Sequence, residues 1–450
     1  MNPPSRGTHW HHDALLLLAL VLLQAPLWLN PGYFSHDELQ WASRAALPLA
    51  EVQFLSFTDW ASFQFRPLTF NLWLLLSHAL FESPRLFHAV FVLLGSLNAL
   101  LLANVLRRAG VGVQIAAVAA LVFALSPFAV WVHGWVGCLA DLIWVAAGLG
   151  TLALLQRLGN SAGAMLLAAA GAGLMTLLGL LAKEAALVLP ALLALGALLL
   201  RLPHNWMAAT AGSGLVALAY LALRLDVLLQ PEPGSTYTTD PLALPVRWLE
   251  YQVFPWALNV GEVHVLALAS VGRWAVMVAL LLMLAWCLWR ASRRLWLAWF
   301  AGGVLALGPV LLLPMSANQY GYGFIALVCG VLALAWPHFS RRQGWVVGVL
   351  AAMTLLHGVQ IQGRLLQAGR VQAVFSPALA AALEAAGPQQ SLSLWPQQSK
   401  QVYLYVRMTH DIPSYRGVPI GDRVRMAARI EDATHLIAPD GSLHPMESPP

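Results

Sequence analysis

The sequence predicts an all-α polytopic membrane protein with a small α/β appendix at its C-terminus. Three observations carry that prediction. Hydrophobic residues make up 59% of the 450 residues and charged ones only 10%, where a soluble domain carries about 25% charged residues. Apolar runs long enough to cross about 30 Å of hydrocarbon recur along most of the chain. The 19 tryptophans suit interfacial belts at the two membrane surfaces better than a packed soluble core.

The first apolar run, Ala14 to Leu29, has no A-x-A-like cleavage site and more spans follow it, so it reads as an uncleaved first span. Further runs lie at 86–106, 112–132, 138–156, 161–181, 185–200, 206–223, 272–289, 295–313, 320–336 and 344–362. Together they make about eleven spans. Pro67 to Phe81 is short for a span and reads as an interfacial helix inside a long first loop, 30–85. A second long loop covers 226–271 and begins with the turn-rich Pro231 to Thr236. Residues 1–363 thus form the membrane domain. Beyond them, 364–450 reads as an appendix with a helix over Phe375 to Ala386 begun by Ser376 and Pro377. Its strands are expected at Ser391 to Trp395, Gln401 to Val406 and Thr434 to Ala438, with a turn at Asp440-Gly441.

The bias of arginines to short loops favours one orientation, although Arg44, Arg66, Arg85, Lys183, Arg224, Arg247 and Arg273 fall in the outer loops. Arg107, Arg108, Arg157, Arg201, Arg290, Arg293, Arg294, Arg341 and Arg342 fall in alternate short loops, which places those loops and the N-terminus inside and the C-terminus outside a cytoplasmic membrane. Nearly all acids of the first 363 residues fall on the outer face, Asp13 excepted. Cys138, Cys287 and Cys329 lie in apolar stretches without C-x-x-C spacing and support neither a disulfide framework nor a metal site. No basic tract is interleaved with aromatics, which excludes nucleic acid as a partner.

The titratable groups then sort themselves by face. Tyr33 to Trp41 holds His36, Asp37 and Glu38 directly after the first span. The plain alternative is an acidic helix start capped by Ser35. Arg66 offers a rigid fork for a phosphate or carboxylate, or it snorkels ahead of a helix begun by Pro67. Asp141, Lys183 and Glu184 sit at the ends of apolar runs, where an ionised group needs a partner, water or a function. Arg224 closes the span before the second long loop, and Asn318 to Gly323, with Tyr320 and Tyr322, interrupts two late spans. Each signal is weak alone. The topology brings them to one face, and the reading expects them to line one outer cavity.

The order of these motifs resembles the GT-C glycosyltransferases, especially the protein O-mannosyltransferase-like branch and its bacterial relatives, from Tyr33 to Tyr322. Phe65 to Arg108 carries the most specific likeness, to a Y-R-P-L…F-H…N-A-L-L…L-R-R pattern. Three places depart from it. Ser126-Pro127 and Trp131 stand where relatives have a histidine and a glutamate, Leu139 replaces an arginine, and Asn318-Gln319-Tyr320 replaces Glu-Arg-Tyr.

The resemblance implies transfer of a sugar from a polyprenyl-phosphate donor to a hydroxyl of a protein, lipid or glycan on the outer side. Asp37 would be the base that takes the acceptor proton, with Glu38 its partner or a ligand of a divalent cation. Arg66, Lys183 and Arg224 would hold the donor phosphate, with His36, Asp141, Glu184, Tyr320 and Tyr322 around them. The metal remains open. The competing readings are a GT-C-like scaffold without activity, a polymerase or ligase of lipid-linked glycans, and a transporter; the last would place its polar groups near the midplane.

Overall fold

The computed structural model describes residues 6–230, 239–398 and 402–446. The turn-rich start of the second loop therefore lies outside the described residues, as does Gln401.

The chain begins with α1 (Arg6–Leu22) and the single turn α2 (Ala25–Trp28), broken at Gln24 with Pro26 at the start of the second piece. Then come α3 (His36–Ala45), α4 (Pro67–Leu80) and α5 (Pro84–Arg108). Next, α6 (Val113–Ala124) and α7 (Pro127–Gly134) are bent by 60° at Ser126-Pro127. There Pro127 opens the new helix, and Ser126 Oγ accepts from Ala129 N–H at 3.2 Å. The bundle continues with α8 (Leu139–Leu155), α9 (Ala162–Ala182), α10 (Leu189–Leu200), α11 (His204–Leu229), α12 (Leu244–Val253), α13 (Val271–Ala291), α14 (Arg293–Leu307), α15 (Tyr322–Ala335) and α16 (Arg341–Ala386).

Every apolar run read from the sequence holds helix. Among the described residues eight helical stretches are long and apolar enough to cross a membrane, and the bent α6–α7 pair would make a ninth. The runs at 14–29 and 185–200, read as spans, form shorter apolar helices, His11–Leu22 and Glu184–Leu200. Helix α4 forms at Pro67 as expected. With no hydrophobic drive between helices inside lipid, small residues allow close approach. At the α9–α11 crossing a Cβ on Gly212 would sit 2.2 Å from the Ala169 carbonyl oxygen, and Thr176 and Ser213 hydroxyls bond at 2.6 Å.

Two expectations in the C-terminal region fail. No helix begins at Ser376: α16 runs through Pro377 without interruption for 46 residues, about 69 Å at the α-helical rise. The buried stripe Gln372, Phe375, Ser376, Leu379 and Leu383 holds it together across the proline. The second failure is at Gln401 to Val406, read as a strand. It is a helix, α17 (Val402–Thr409), burying Tyr405, Met408 and Thr409 on one face. It follows β1 (Leu392–Pro396), which pairs in parallel with β4 (Val424–Met426) and β5 (His435–Ile437). Parallel neighbours need a crossover, commonly a helix, and that need overrides local strand preference. Between them lies the small hairpin β2 (Ser414–Tyr415) and β3 (Val418–Pro419). The turn at Asp440-Gly441 forms as expected, with Gly441 at φ +95°, joining β5 to antiparallel β6 (Leu443–Pro445).

The appendix is not a pendant. Ser43 on α3 bonds Ser414 at 2.8 Å, Arg416 pairs with Glu82 at 2.5 Å, and the Phe375 and Tyr405 rings pack at 4.9 Å. Helix α16 also reaches the residues before α3: Gln372 Oε1 accepts from Tyr33 N–H at 2.9 Å, and Asn30 Nδ2 donates to Leu365 O at 3.1 Å.

Candidate active site

Helix α3 starts where the sequence places it, with Ser35 as N-cap in extended geometry. The two adjacent carboxylates of its first turn have opposite fates. Glu38 turns inward and is 1% exposed. One oxygen accepts from Phe34 N–H at 2.8 Å and Ser35 N–H at 3.0 Å; the other accepts from Val136 N–H at 3.2 Å. It therefore ties the start of α3 to the turn ahead of α8. Burial pushes its carboxyl up to about 8, against the pull of those three N–H donors. Asp37 turns outward, its side chain 35% exposed, with Oδ1 3.2 Å from His36 Nε2. Burial lowers His36, helped by Arg407 and His410 and opposed by Asp37, so the imidazole is neutral near pH 7.

Lys183 ends α9 in extended conformation, which releases its side chain from the helix and turns it toward α8. Its Nζ donates to both oxygens of Asp141, at 2.6 and 2.7 Å. The pair is buried, at 7% and 4% side-chain exposure. Trp144 Nε1 donates to the same carboxylate at 3.3 Å, and the Tyr320 ring lies 4.9 Å from the ammonium. Next in sequence, Glu184 accepts from Arg66 Nε at 2.8 Å. Thr69, on the helix that Arg66 opens, donates to Ala182 O at 3.0 Å, holding α4 against the end of α9.

Part of the expected set lies close together. The Cys138 thiol, between the start of α3 and α8, lies within Coulombic range of Asp37, Glu38, Asp141 and Lys183 at once. Two residues of the expected set are held by other partners. Arg224 is fully buried, and its guanidinium donates to the carbonyls of Trp60, Ser62 and Phe63. It pins the first long loop, with the Tyr220 ring 5.9 Å from its guanidinium carbon. Tyr322 is buried inside the bundle, its hydroxyl bonded to His133 Nε2 and Asn98 Nδ2, each at 3.2 Å. The residues expected to line one cavity do not border the large cavity of about 910 Å³ in the bundle: none of Asp37, Glu38, Arg66, Lys183 or Arg224 is part of its lining.

The departures from the motif pattern also acquire physical roles. Leu139 is packed in the apolar core, 3% exposed. Asn318 accepts from Val263 N–H at 2.8 Å and donates to Gly261 O at 3.0 Å, closing the second long loop onto the start of α15.

Sequence reasoning missed Arg407. This α17 side chain lies over three rings, with its guanidinium carbon 5.4 Å from the centre of Phe34, 5.8 Å from Trp135 and 5.2 Å from Tyr403. Its carboxylate partner, Glu262, stands 3.7 Å away. His410, one turn on, packs edge-on to His36 at 5.9 Å. Tyr403, four residues before Arg407, was the only local signal, and nothing in the sequence tied either residue to α3.

Among the described residues no three His, Cys, Asp or Glu side chains group as a metal site would require. Glu38 already has an N–H donor on each oxygen, so Asp37 and His36 are the groups left to face a ligand. No family model matches this chain, and no curated protein matches it.

Proposed function

We propose that the chain is a GT-C-type, inverting glycosyltransferase of the cytoplasmic membrane, with about eleven spans and the α3 end outside. It would move a sugar from a polyprenyl-phosphate donor to an acceptor hydroxyl. The observation that carries this reading is the split between the two carboxylates of α3. Glu38 is consumed in holding the helix start, and Asp37 alone keeps an exposed carboxylate beside a neutral imidazole.

In this reading the acceptor O–H approaches Asp37, which takes its proton as the oxygen attacks C1 of the sugar. The C1–O bond to the lipid phosphate breaks with inversion, and the phosphate leaves as an anion without needing an acid. Positive charge near that anion lowers the barrier. Arg66 and Lys183 hold carboxylates of their own, so the phosphate would share them with Glu184 and Asp141. Arg407 supplements them, being loosely paired and already seated on aromatic faces.

A second reading, a GT-C-like scaffold without transfer, is favoured by the same pairing of cations and by buried Leu139. The two separate in one assay. Purified full-length protein in vesicles receives labelled polyprenyl-phosphate sugars and an envelope extract as acceptor. The first reading expects transfer that Asp37→Asn lowers by about 10² to 10⁴. Absence of transfer from every donor would leave the scaffold.

A further inference from the structure

A groove of about 910 Å³ opens between α5, α8, α10, α14 and α15, with Trp144, whose Nε1 donates to Asp141, in its lining; the volume is near the upper end for ligand pockets. Its walls are rich in leucine, and no acidic side chain borders it. Its polar lining gathers at one end, where Arg108 closes α5 and Arg294 opens α14, with His338 following α15. All three side chains are exposed, and none has an ion-pair or hydrogen-bond partner among the described residues. Neighbouring Arg107 differs, pairing with Asp13 at 2.5 Å.

We infer that this groove binds an anionic diacyl phospholipid, its phosphate at Arg108, Arg294 and His338 and its acyl chains along the leucine walls. A basic pocket between membrane helices is the arrangement that captures acidic headgroups. A zwitterionic lipid would leave the net positive charge uncompensated. A polyprenyl-phosphate donor fits worse. Its phosphate cannot serve both here and at Asp37, because the 25 residues of α5 put about 37 Å between Pro84, near Tyr33, and Arg108. The site is independent of what Asp37 does.

Two glycines make the inference testable without disturbing the bundle. Gly196 on α10 and Gly330 on α15 both border the groove. A Cβ at Gly196 would meet nothing within 4 Å, and one at Gly330 would only touch Leu102 at 4.0 Å. Leucine at either position therefore starts from a Cβ that meets no close protein atom, on a backbone that borders the groove. Gly348 on α16 has equally open surroundings but does not border the groove, so Gly348→Leu is the control.

The test is native mass spectrometry of the purified full-length protein titrated with palmitoyl-oleoyl phosphatidylglycerol, phosphatidylcholine or a polyprenyl phosphate. Wild type should bind phosphatidylglycerol about ten- to thirty-fold tighter than phosphatidylcholine, the worth of two arginines near a phosphate. Arg108→Gln with Arg294→Gln should bring the two to within about twofold. Gly196→Leu with Gly330→Leu should remove the bound lipid, while Gly348→Leu retains it. Equal binding of the two phospholipids by wild type would overturn the inference, and so would unchanged binding in either double variant. Polyprenyl phosphate displacing phosphatidylglycerol in an arginine-dependent way would overturn it too.

Discussion

The two ends of this bundle treat charge in opposite ways. Around α3 the charged groups are committed: Lys183 to Asp141, Arg66 to Glu184, Arg224 to three carbonyls, Glu38 to three N–H groups. At the groove end Arg108 and Arg294 have no such partners among the described residues. A count of ionisable residues would rank the α3 end first as an anion site, and the pairings weaken that ranking. What distinguishes the α3 end is the one carboxylate left over, Asp37, together with a loosely paired arginine from the appendix. The comparison therefore teaches that the commitment of a charge says more about a site than its presence.

The strongest way to break the comparison is to unpair its most buried members. Lys183→Met strands a buried Asp141 and should cost about 3–5 kcal/mol, while Lys183→Met with Asp141→Leu should recover most of it. Denaturant titration in detergent reads both, and equal losses in the single and double variants would mean that the pair is not what holds the end of α9. Glu38→Ala comes next. It leaves three N–H groups near α3 without their acceptor and should cost about 3 kcal/mol, each group being worth about 1–3.

Glu38 also sets a pH dependence whose sign follows from its raised carboxyl. The folded state holds the proton up to about 8, the unfolded chain only to 4.5. The contribution of Glu38 to stability is thus full below pH 4.5 and is lost as pH rises through 8. Thermal unfolding from pH 4.5 to 8 should show that decline in wild type and lose it in Glu38→Gln; a decline that persists in the variant would assign it to another group. A smaller effect is expected at Arg407. Arg407→Gln should raise the donor KM about tenfold with kcat nearly unchanged, the loss of one charge-assisted contact. A fall in kcat alone would place Arg407 with the reacting atoms instead. Smallest of all, Arg416→Ala breaks an exposed pair with Glu82 and should cost under about 1 kcal/mol.

Much of this was legible in sequence because it is local. Apolar runs become helices wherever they occur, Pro67 opens a helix by fixed backbone geometry, and Ser35 starts α3, whereas the 60° bend at Ser126-Pro127 falls inside the run read as a single span, 112–132. The rest depends on contacts between distant residues. Ser43 and Ser414 meet across 371 positions, and no local pattern announces that α17 will sit over α3. The strand read at 402–406 gave way to a topological need for a crossover, and α16 passes Pro377 because its buried stripe continues on both sides. The inward turn of Glu38 is of the same kind, since Val136 supplies one of its donors from 98 residues away.

In the proposed reaction Asp37, and not its neighbour, does the chemistry. Single-turnover transfer from a labelled polyprenyl-phosphate sugar tests it, comparing wild type with Asp37→Asn at matched thermal stability. The account predicts a loss of at least about 100-fold in rate with donor binding retained. Transfer by Asp37→Asn at the wild-type rate would contradict it.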